Sequence, residues 1–80
     1  MGLAASEAEL RDRASRFVKA ELKRAKLTYA DLAERLREHG LPDESETTIK
    51  AQLKRGTFAA TFFLATLAAL ELEEVRLEDF

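Results

Sequence analysis

Residues 27–56, LTYADLAERLREHGLPDESETTIKAQLKRG, constrain the fold of this 80-residue chain more than any other stretch. Their first half predicts an amphipathic helix, because Thr28 is a typical N-cap and Asp31, three positions later, is a weaker capping-box partner. Gly40 is placed to stop that helix in a left-handed conformation, and Pro42 prevents it from continuing. The pattern predicts a capped helix that ends in a short turn.

A second helix is predicted in the other half of the stretch. Ser45 alone, or Asp43 together with Glu46, can cap its N-terminus. Ile49 and Leu53 are four residues apart, so they share one inward face, and the final glycine of the stretch closes the helix. Two short helices joined by a turn have the layout of a helix-turn-helix.

The flanking residues complete a helical domain. A Ser-x-x-Glu capping box opens a helix predicted over 7–26, and an apolar stretch predicts a helix from about 57 to 70 that lies inside the bundle or against a partner. Residues 70–80 alternate as in a strand but can also form a short helix. The helix is favoured, because one strand without a mate cannot satisfy its backbone. We predict an all-α fold, a compact four- to five-helix bundle that forms a single domain over residues 1–80.

Composition narrows the setting of the protein. The chain has no cysteine, which rules out disulfides and thiolate metal sites and favours the cytosol. The first ten residues lack the basic flank and apolar run of a signal peptide. The longest apolar stretch is shorter than the ~20 residues that cross a bilayer. We therefore expect a cytoplasmic protein with no membrane segment.

Charge is distributed unevenly along the chain, although the net charge is only -2. Residues 11–56 carry twelve Lys/Arg and eight Asp/Glu, a balance of +4, whereas residues 57–80 carry one arginine and five acids, a balance of -4. This asymmetry fits one face for DNA and one for a partner, and it also fits an ordinary solvated surface.

Two families resemble this sequence. LTYADLAERL, TTIKAQLKRG, FFLATLAAL and VRLEDF resemble, in that order, the second to fifth helices of phage-repressor-like helix-turn-helix domains of the lambda repressor or XRE type. That resemblance implies a five-helix bundle that binds double-stranded DNA sequence-specifically, usually as a dimer. Over about residues 15 to 72, RFVKAELKRAKLTYADLAERL, TIKAQLKRGTF and FFLATLAAL are similar to a family of small bacterial proteins that is a domain of unknown function. The second resemblance implies no activity.

The outward face of the third helix supplies the candidate DNA contacts. With Ile49 and Leu53 inward, the step of about 100° per residue turns the remaining polar residues outward, with Lys50 at the flank. Thr and Ala can contact a thymine methyl, and Lys or Arg can reach guanine or phosphate. Tyr29 can hydrogen-bond a phosphate or pack on the first helix. The predicted DNA-binding residues are Thr47, Thr48, Lys50, Lys54, Arg55 and Tyr29.

Other surfaces have candidate roles in the same hypothesis. A basic face on the first helix can neutralise phosphates or be solvated. The end of the fourth helix, with Val75, Leu77 and Phe80, can pair two copies into a homodimer. The residues of the basic face are Arg13, Arg16, Lys19, Lys23 and Arg24.

The leading hypothesis is a small DNA-binding protein, a transcriptional regulator that uses its third helix as the recognition helix. The alternative is a protein-protein interaction module that keeps the helix-turn-helix architecture without binding DNA, and the acids that precede the third helix favour it. His39 suits the end of its helix through the dipole. We predict no enzymatic activity, no catalytic residue, no metal site and no cofactor.

Overall fold

The computed structural model describes residues 6–80, which form four α-helices and one short 3-10 turn. No strand occurs within these residues, and the predicted all-α bundle is confirmed. The elements in chain order are α1 (Glu7–Ala25), α2 (Tyr29–Glu38), α3 (Glu46–Arg55), α4 (Ala60–Ala69) and the 3-10 turn (Leu77–Asp79).

Side-chain caps fix the starts of α2 and α3. The Thr28 hydroxyl accepts a hydrogen bond from the Asp31 amide (3.0 Å), and the Asp31 carboxylate accepts one from the Thr28 amide (2.9 Å). Ser45 caps α3 by accepting from the Thr48 amide (3.2 Å), while the Thr48 hydroxyl accepts from the Ser45 amide (2.9 Å). Of the two caps considered for α3, the structure uses Ser45, with threonine in the position that glutamate usually takes.

Two glycines end helices as predicted. Gly40 has a φ of 96°, and the Leu41 amide donates to the Leu36 carbonyl at 3.0 Å, as in a Schellman motif. Gly56 has a φ of 75°, and its amide donates to the Gln52 carbonyl at 2.9 Å. These left-handed residues turn the chain sharply after α2 and α3.

Donors from neighbouring helices satisfy carbonyls in the last turns of α3 and α4. Such carbonyls have no partner within their own helix. The Ser15 hydroxyl of α1 donates to the Leu53 carbonyl of α3 at 2.5 Å, within the buried interior. The Arg35 guanidinium of α2 donates to the Ala69 carbonyl of α4 at 2.9 Å. These two bonds tie α1 to α3 and α2 to α4.

The core draws side chains from all four helices. The inward face predicted for the third helix is buried, and α1, α2 and α4 add aromatic and aliphatic side chains. The buried hydrophobic residues are Phe17, Val18, Leu22, Leu32, Ala33, Leu36, Ile49, Leu53, Phe62 and Ala69.

The fourth helix begins later than the sequence predicts. It starts at Ala60 rather than near residue 57, because residues 57–59 continue in an extended path after the left-handed Gly56. That path brings the ring of Phe58 to 5.2 Å from the ring of Phe62, measured between centroids. The start was hard to predict because Ala59, the N-cap residue, has no capping side chain.

Only one side of α4 is buried. Phe62, Thr66 and Ala69 face the core, whereas 64% of Leu64 is exposed. The helix therefore lies at the surface of the bundle, and its outer face is open to a partner. Over residues 6–80 no helix is both long and apolar enough to cross a bilayer.

The C-terminal segment (residues 70–80) folds back onto α1. The Phe80 ring lies 4.4 Å from the Phe17 ring and 6.3 Å from the Phe63 ring. The Arg13 guanidinium donates to the Phe80 carbonyl at 2.8 Å. The prediction of a short helix here is confirmed in the form of the 3-10 turn, which allows Phe80 to reach the core.

Candidate nucleic-acid interface

A basic depression lies between α1 and α3, next to the first residue of α2. This depression, called here the basic trough, has a volume of about 420 Å³. Its lining includes six cationic residues and one acidic residue, Asp12. A concave surface lined mainly by one sign of charge concentrates the field and attracts the opposite charge, here anions. The six cations are Arg11, Arg16, Lys19, Lys50, Lys54 and Arg55.

A close contact between α1 and the end of α3 forms the trough. A Cβ atom on Gly56 would lie 2.7 Å from both the Cβ and the carbonyl oxygen of Arg11, so only glycine permits this approach. One turn along α1, the hydroxyl of Ser15 holds the Leu53 carbonyl. These two contacts set the cations of α1 opposite those of α3.

Four of the six residues predicted to bind DNA line the trough together: Tyr29, Lys50, Lys54 and Arg55. Thr47 is exposed on α3 and is not part of the trough lining. Thr48 is exposed, but its hydroxyl donates to the Glu44 carboxylate at 2.6 Å and also serves the α3 cap. The structure therefore assigns Thr48 a local role at the start of α3.

The cations of α3 differ in their local partners. Lys50 lies 3.7 Å from the Glu46 carboxylate, and Arg55 reaches the Thr57 carbonyl at 3.4 Å. Lys54 has no ion pair or hydrogen bond with any residue in 6–80. An exposed ion pair contributes only ~0.2–1 kcal/mol, so a ligand with several phosphates can readily replace the pair at Lys50.

One of the acids at the N-terminus of α3 is directed at the helix itself. The Glu44 carboxylate accepts hydrogen bonds from the Thr48 hydroxyl (2.6 Å) and the Gln52 amide (3.0 Å). The Arg37 guanidinium donates to the backbone carbonyl of Glu44 at 2.9 Å. The carboxylate of Glu44 thus stabilises the start of α3, and two donors partly offset its charge.

The residues predicted to form one basic face on the first helix differ in their surroundings, because the two edges of that face meet different parts of the fold. Arg13 binds the Phe80 carbonyl, and Arg24 pairs with the nearly buried Glu21 at 2.9 Å. Lys19 and Lys23 lie toward α2 and α3, where they line depressions at Tyr29. The physical reason is the helical step of about 100°, which places Lys19 and Arg24 about 140° apart around the helix axis, so that they meet different neighbours.

Arg11 lines the trough but was missed by the sequence reasoning. It pairs with Glu7 at 3.1 Å, one turn away on the exposed N-terminal part of α1. Its position one turn before Ser15 places it toward α3, but the sequence gives no sign that Ser15 binds α3. Arg11 can therefore be assigned to the trough only when the long-range contact between Ser15 and α3 is known.

An apolar groove lies on the other side of α1, next to the C-terminal segment. Its volume is about 480 Å³, and two of its rim residues, Leu10 and Leu77, are 40% and 66% exposed. Phe58, Phe63 and Phe80 also line it. Phe80, predicted to pair two copies, is half-buried against the core and leaves Leu77 as the more accessible residue of the segment.

Two further side chains make local contacts at the two ends of α2. The pKa of Asp31 is lowered by the hydrogen bonds that its carboxylate makes with the backbone and side chain of Thr28, and to a lesser degree by the charge of Arg35. His39 ends α2, with its Nδ1 atom 2.8 Å from the Arg35 carbonyl.

Within residues 6–80, no three His, Cys, Asp or Glu side chains are grouped to hold a metal ion.

The fold and the trough together define a small all-α protein with a basic surface between its first and third helices. Residues 3–75 match the domain of unknown function (DUF6471), and the chain belongs to that family. The resemblance of residues 15–72 to a domain of unknown function is thereby confirmed. No curated protein and no solved structure is significantly similar to the chain.

Proposed function

We propose that the protein binds double-stranded DNA and acts as a transcriptional regulator, with α3 as its recognition helix. The observation that carries the proposal is the basic trough, which gathers Tyr29, Lys50, Lys54 and Arg55 at one edge of α3. Duplex DNA carries one negative charge per ~1.7 Å of its axis, so a cationic surface of this kind gains affinity by releasing condensed counterions.

The exposed face of α3 supplies a chemistry suited to a major groove. Lys50 and Lys54 can donate to guanine or phosphate, and Thr47 and Ala51 can contact a thymine methyl. All four are exposed along one side of the helix. Arg55 and Tyr29 lie at the edge of that face, where they can contact phosphate. Thr48 supports the reading helix through its cap.

We also propose that two copies pair through the exposed face of α4 and the C-terminal segment. Leu64 and Leu77, the two most exposed large hydrophobic residues of the described chain, lie on these elements. One recognition helix reads few base pairs, so pairing doubles the site and increases discrimination. Sedimentation velocity of the Leu64→Gln variant tests this pairing. If the dimer is built on α4, the variant should dissociate into monomers at a higher protein concentration than the wild type. Unchanged association would exclude α4 from the interface.

Fluorescence anisotropy with a random-sequence duplex, from low to physiological salt, tests DNA binding. We expect the logarithm of the affinity to fall linearly with the logarithm of salt, with a slope of several units. Lys54→Glu should weaken binding strongly, and the Lys54→Glu, Arg55→Glu double variant should abolish it. Lys26→Glu is the matched control, because Lys26 is also an exposed lysine but does not line the trough.

The circular dichroism of each variant must match that of the wild type, so that lost binding reports on the surface alone. A wild-type protein that does not bind duplex at low salt would contradict the proposed function. Equal losses from Lys54→Glu and Lys26→Glu would contradict the assignment of α3 as the reader.

The second candidate function is a protein-interaction module, which the apolar groove on the other side of α1 favours. Exposed apolar patches on small proteins often mark interaction sites. DNA binding at low salt distinguishes the two functions, because a pure interaction module has no salt-dependent affinity for duplex DNA. Leu10→Gln and Leu77→Gln should then remove its partner binding, and both changes are at exposed positions that the core does not need.

A further inference from the structure

A second depression adjoins the basic trough on the side of α2. Its volume is about 360 Å³, and it is lined by Lys19, Lys23, Thr28 and Tyr29 together with Leu22 and Leu27. Lys19 and Tyr29 also line the trough, so the two depressions meet at these residues. A continuous surface that carries lysines therefore runs from the end of α3, past Tyr29, to the last turn of α1.

Lys19 and Lys23 are exposed, and neither ammonium group makes an ion pair or hydrogen bond with another residue of the described chain, 6–80. They are one helical turn apart, a spacing at which like charges repel. The nearest acid in sequence does not relieve this repulsion, because Glu21 is directed at Arg24. An anion between the two lysines would remove the repulsion.

Other charges that face this path are already engaged. Asp12 pairs with Arg16 at 3.0 Å, which leaves the net charge of that pair near zero. The Asp31 carboxylate accepts the hydrogen bond of the Thr28 amide and so is held at the cap. The unpaired charges that α1 places beside Tyr29 are those of the two lysines, and Lys54, also unpaired, lines the trough from α3.

We propose that Lys19, Lys23 and Tyr29 form a phosphate-binding subsite that holds the phosphodiester backbone of the duplex whose groove α3 reads. This inference rests on the proposed DNA binding. Each lysine contributes an ammonium group to a phosphate, and the hydroxyl of Tyr29 donates a hydrogen bond between them. The subsite fixes the position of the duplex and carries no sequence information.

Single Lys19→Gln and Lys23→Gln variants and the double variant test the subsite by anisotropy against salt. We expect the log-log slope to become shallower by about one unit for each lysine removed. Lys26→Gln is the matched control, since Lys26 is an exposed lysine that lines neither depression, and its slope should equal that of the wild type. Wild-type thermal unfolding curves for all variants would show that the fold is retained.

Tyr29→Phe separates the hydrogen bond from the charges. Loss of a neutral donor should weaken binding about threefold to tenfold while leaving the salt slope unchanged. Each loss should be the same on two duplexes of unrelated sequence, because a phosphate contact does not depend on the base. A loss confined to one duplex would mean base contact and would overturn the subsite.

Binding of the wild type and of the lysine variants together distinguishes a wrong subsite from a wrong proposed function. If the wild type binds duplex and the lysine variants keep its slope, the subsite is overturned and the role of α3 stands. If the wild type binds no duplex at low salt, the proposed function fails and the subsite fails with it.

Discussion

The two sides of α1 carry the same types of residue in different roles. On the side of the C-terminal segment, Arg13 holds the Phe80 carbonyl and Arg24 pairs with Glu21. On the side of α2 and α3, Lys19 and Lys23 have no partner among residues 6–80. The difference separates cations that the fold uses from cations left available to a ligand.

The packing around α1 explains this division. The side of the C-terminal segment has an aromatic cluster, in which the Phe17 ring lies 6.2 Å from Phe63 and 4.4 Å from Phe80. A carbonyl beside such a cluster needs a donor, because an unpaired polar group in apolar surroundings is costly. The side of α3 is an open depression, where water can solvate ammonium groups. The number of basic residues in the sequence does not distinguish these two surroundings of α1.

The largest predicted effect comes from Gly56→Ala, which acts where the two sides meet. The new methyl would lie 2.7 Å from the Arg11 backbone and side chain, and the left-handed φ of 75° would add strain. Strain of ~1–2 kcal/mol and overpacking of ~1–3 kcal/mol together predict a loss of about 3 kcal/mol in the free energy of unfolding. Urea unfolding followed by circular dichroism measures this loss.

Gly40→Ala provides the control for that experiment. Gly40 also has a positive φ, 96°, but no atom lies within 4 Å of the position where its Cβ would be. We expect it to lose only the strain component, ~1–2 kcal/mol. Equal losses from the two glycine variants would show that the close approach of α1 to α3 does not matter, and the trough would lose its structural basis.

Ser15→Ala should have the next largest effect and is confined to the trough side of α1. It removes the buried hydrogen bond to the Leu53 carbonyl and leaves that carbonyl without its donor. An unsatisfied buried group costs ~1–3 kcal/mol, so we expect a loss of about 2 kcal/mol. Ser15→Thr retains the hydroxyl, and a smaller loss for this variant would attribute the effect to the hydrogen bond.

The variants Arg13→Gln and Lys19→Gln test directly whether the two sides of α1 differ in role. Arg13→Gln should lower the free energy of unfolding by about 1 kcal/mol, because it weakens a partly buried bond to a carbonyl, and should leave DNA affinity unchanged. Lys19→Gln should leave stability unchanged and weaken DNA binding. Urea unfolding gives the free energy of unfolding of each variant, and anisotropy with duplex DNA gives its affinity. If both variants change the same quantity, the two sides of α1 do not differ in role.

Local sequence patterns predicted the fold to a large extent. The caps at Thr28 and Ser45, the glycine stops and the inward pair of α3 all depend on residues within one or two turns of each other. Local hydrogen bonds and helical periodicity determine such features, so the sequence displays them. The start of α4 was missed because Ala59 gives no capping signal.

The candidate site was only partly predictable, because its shape depends on contacts between distant residues. The outward face of α3 followed from Ile49 and Leu53. The wall that faces it depends on the approach of Gly56 to Arg11, 45 residues apart in the chain, which no local pattern reveals. The separate roles of Arg13 and Lys19 likewise follow from the docking of the C-terminal segment, which contacts only one side of α1.

The smallest predicted effect concerns the cap that positions Tyr29 beside the trough. Because the pKa of Asp31 is lowered in the folded protein, its carboxylate stabilises the fold at pH values above the usual Asp pKa of ~3.9. That contribution disappears as the pH falls through the lowered pKa and the carboxylate is protonated. Urea unfolding of the wild type and Asp31→Asn at pH 6 and pH 3 measures it, and the wild type should be more stable at pH 6, with the difference narrowing at pH 3. The other carboxylates titrate in both proteins, so a difference that does not change with pH would mean that the charge of Asp31 does not support α2.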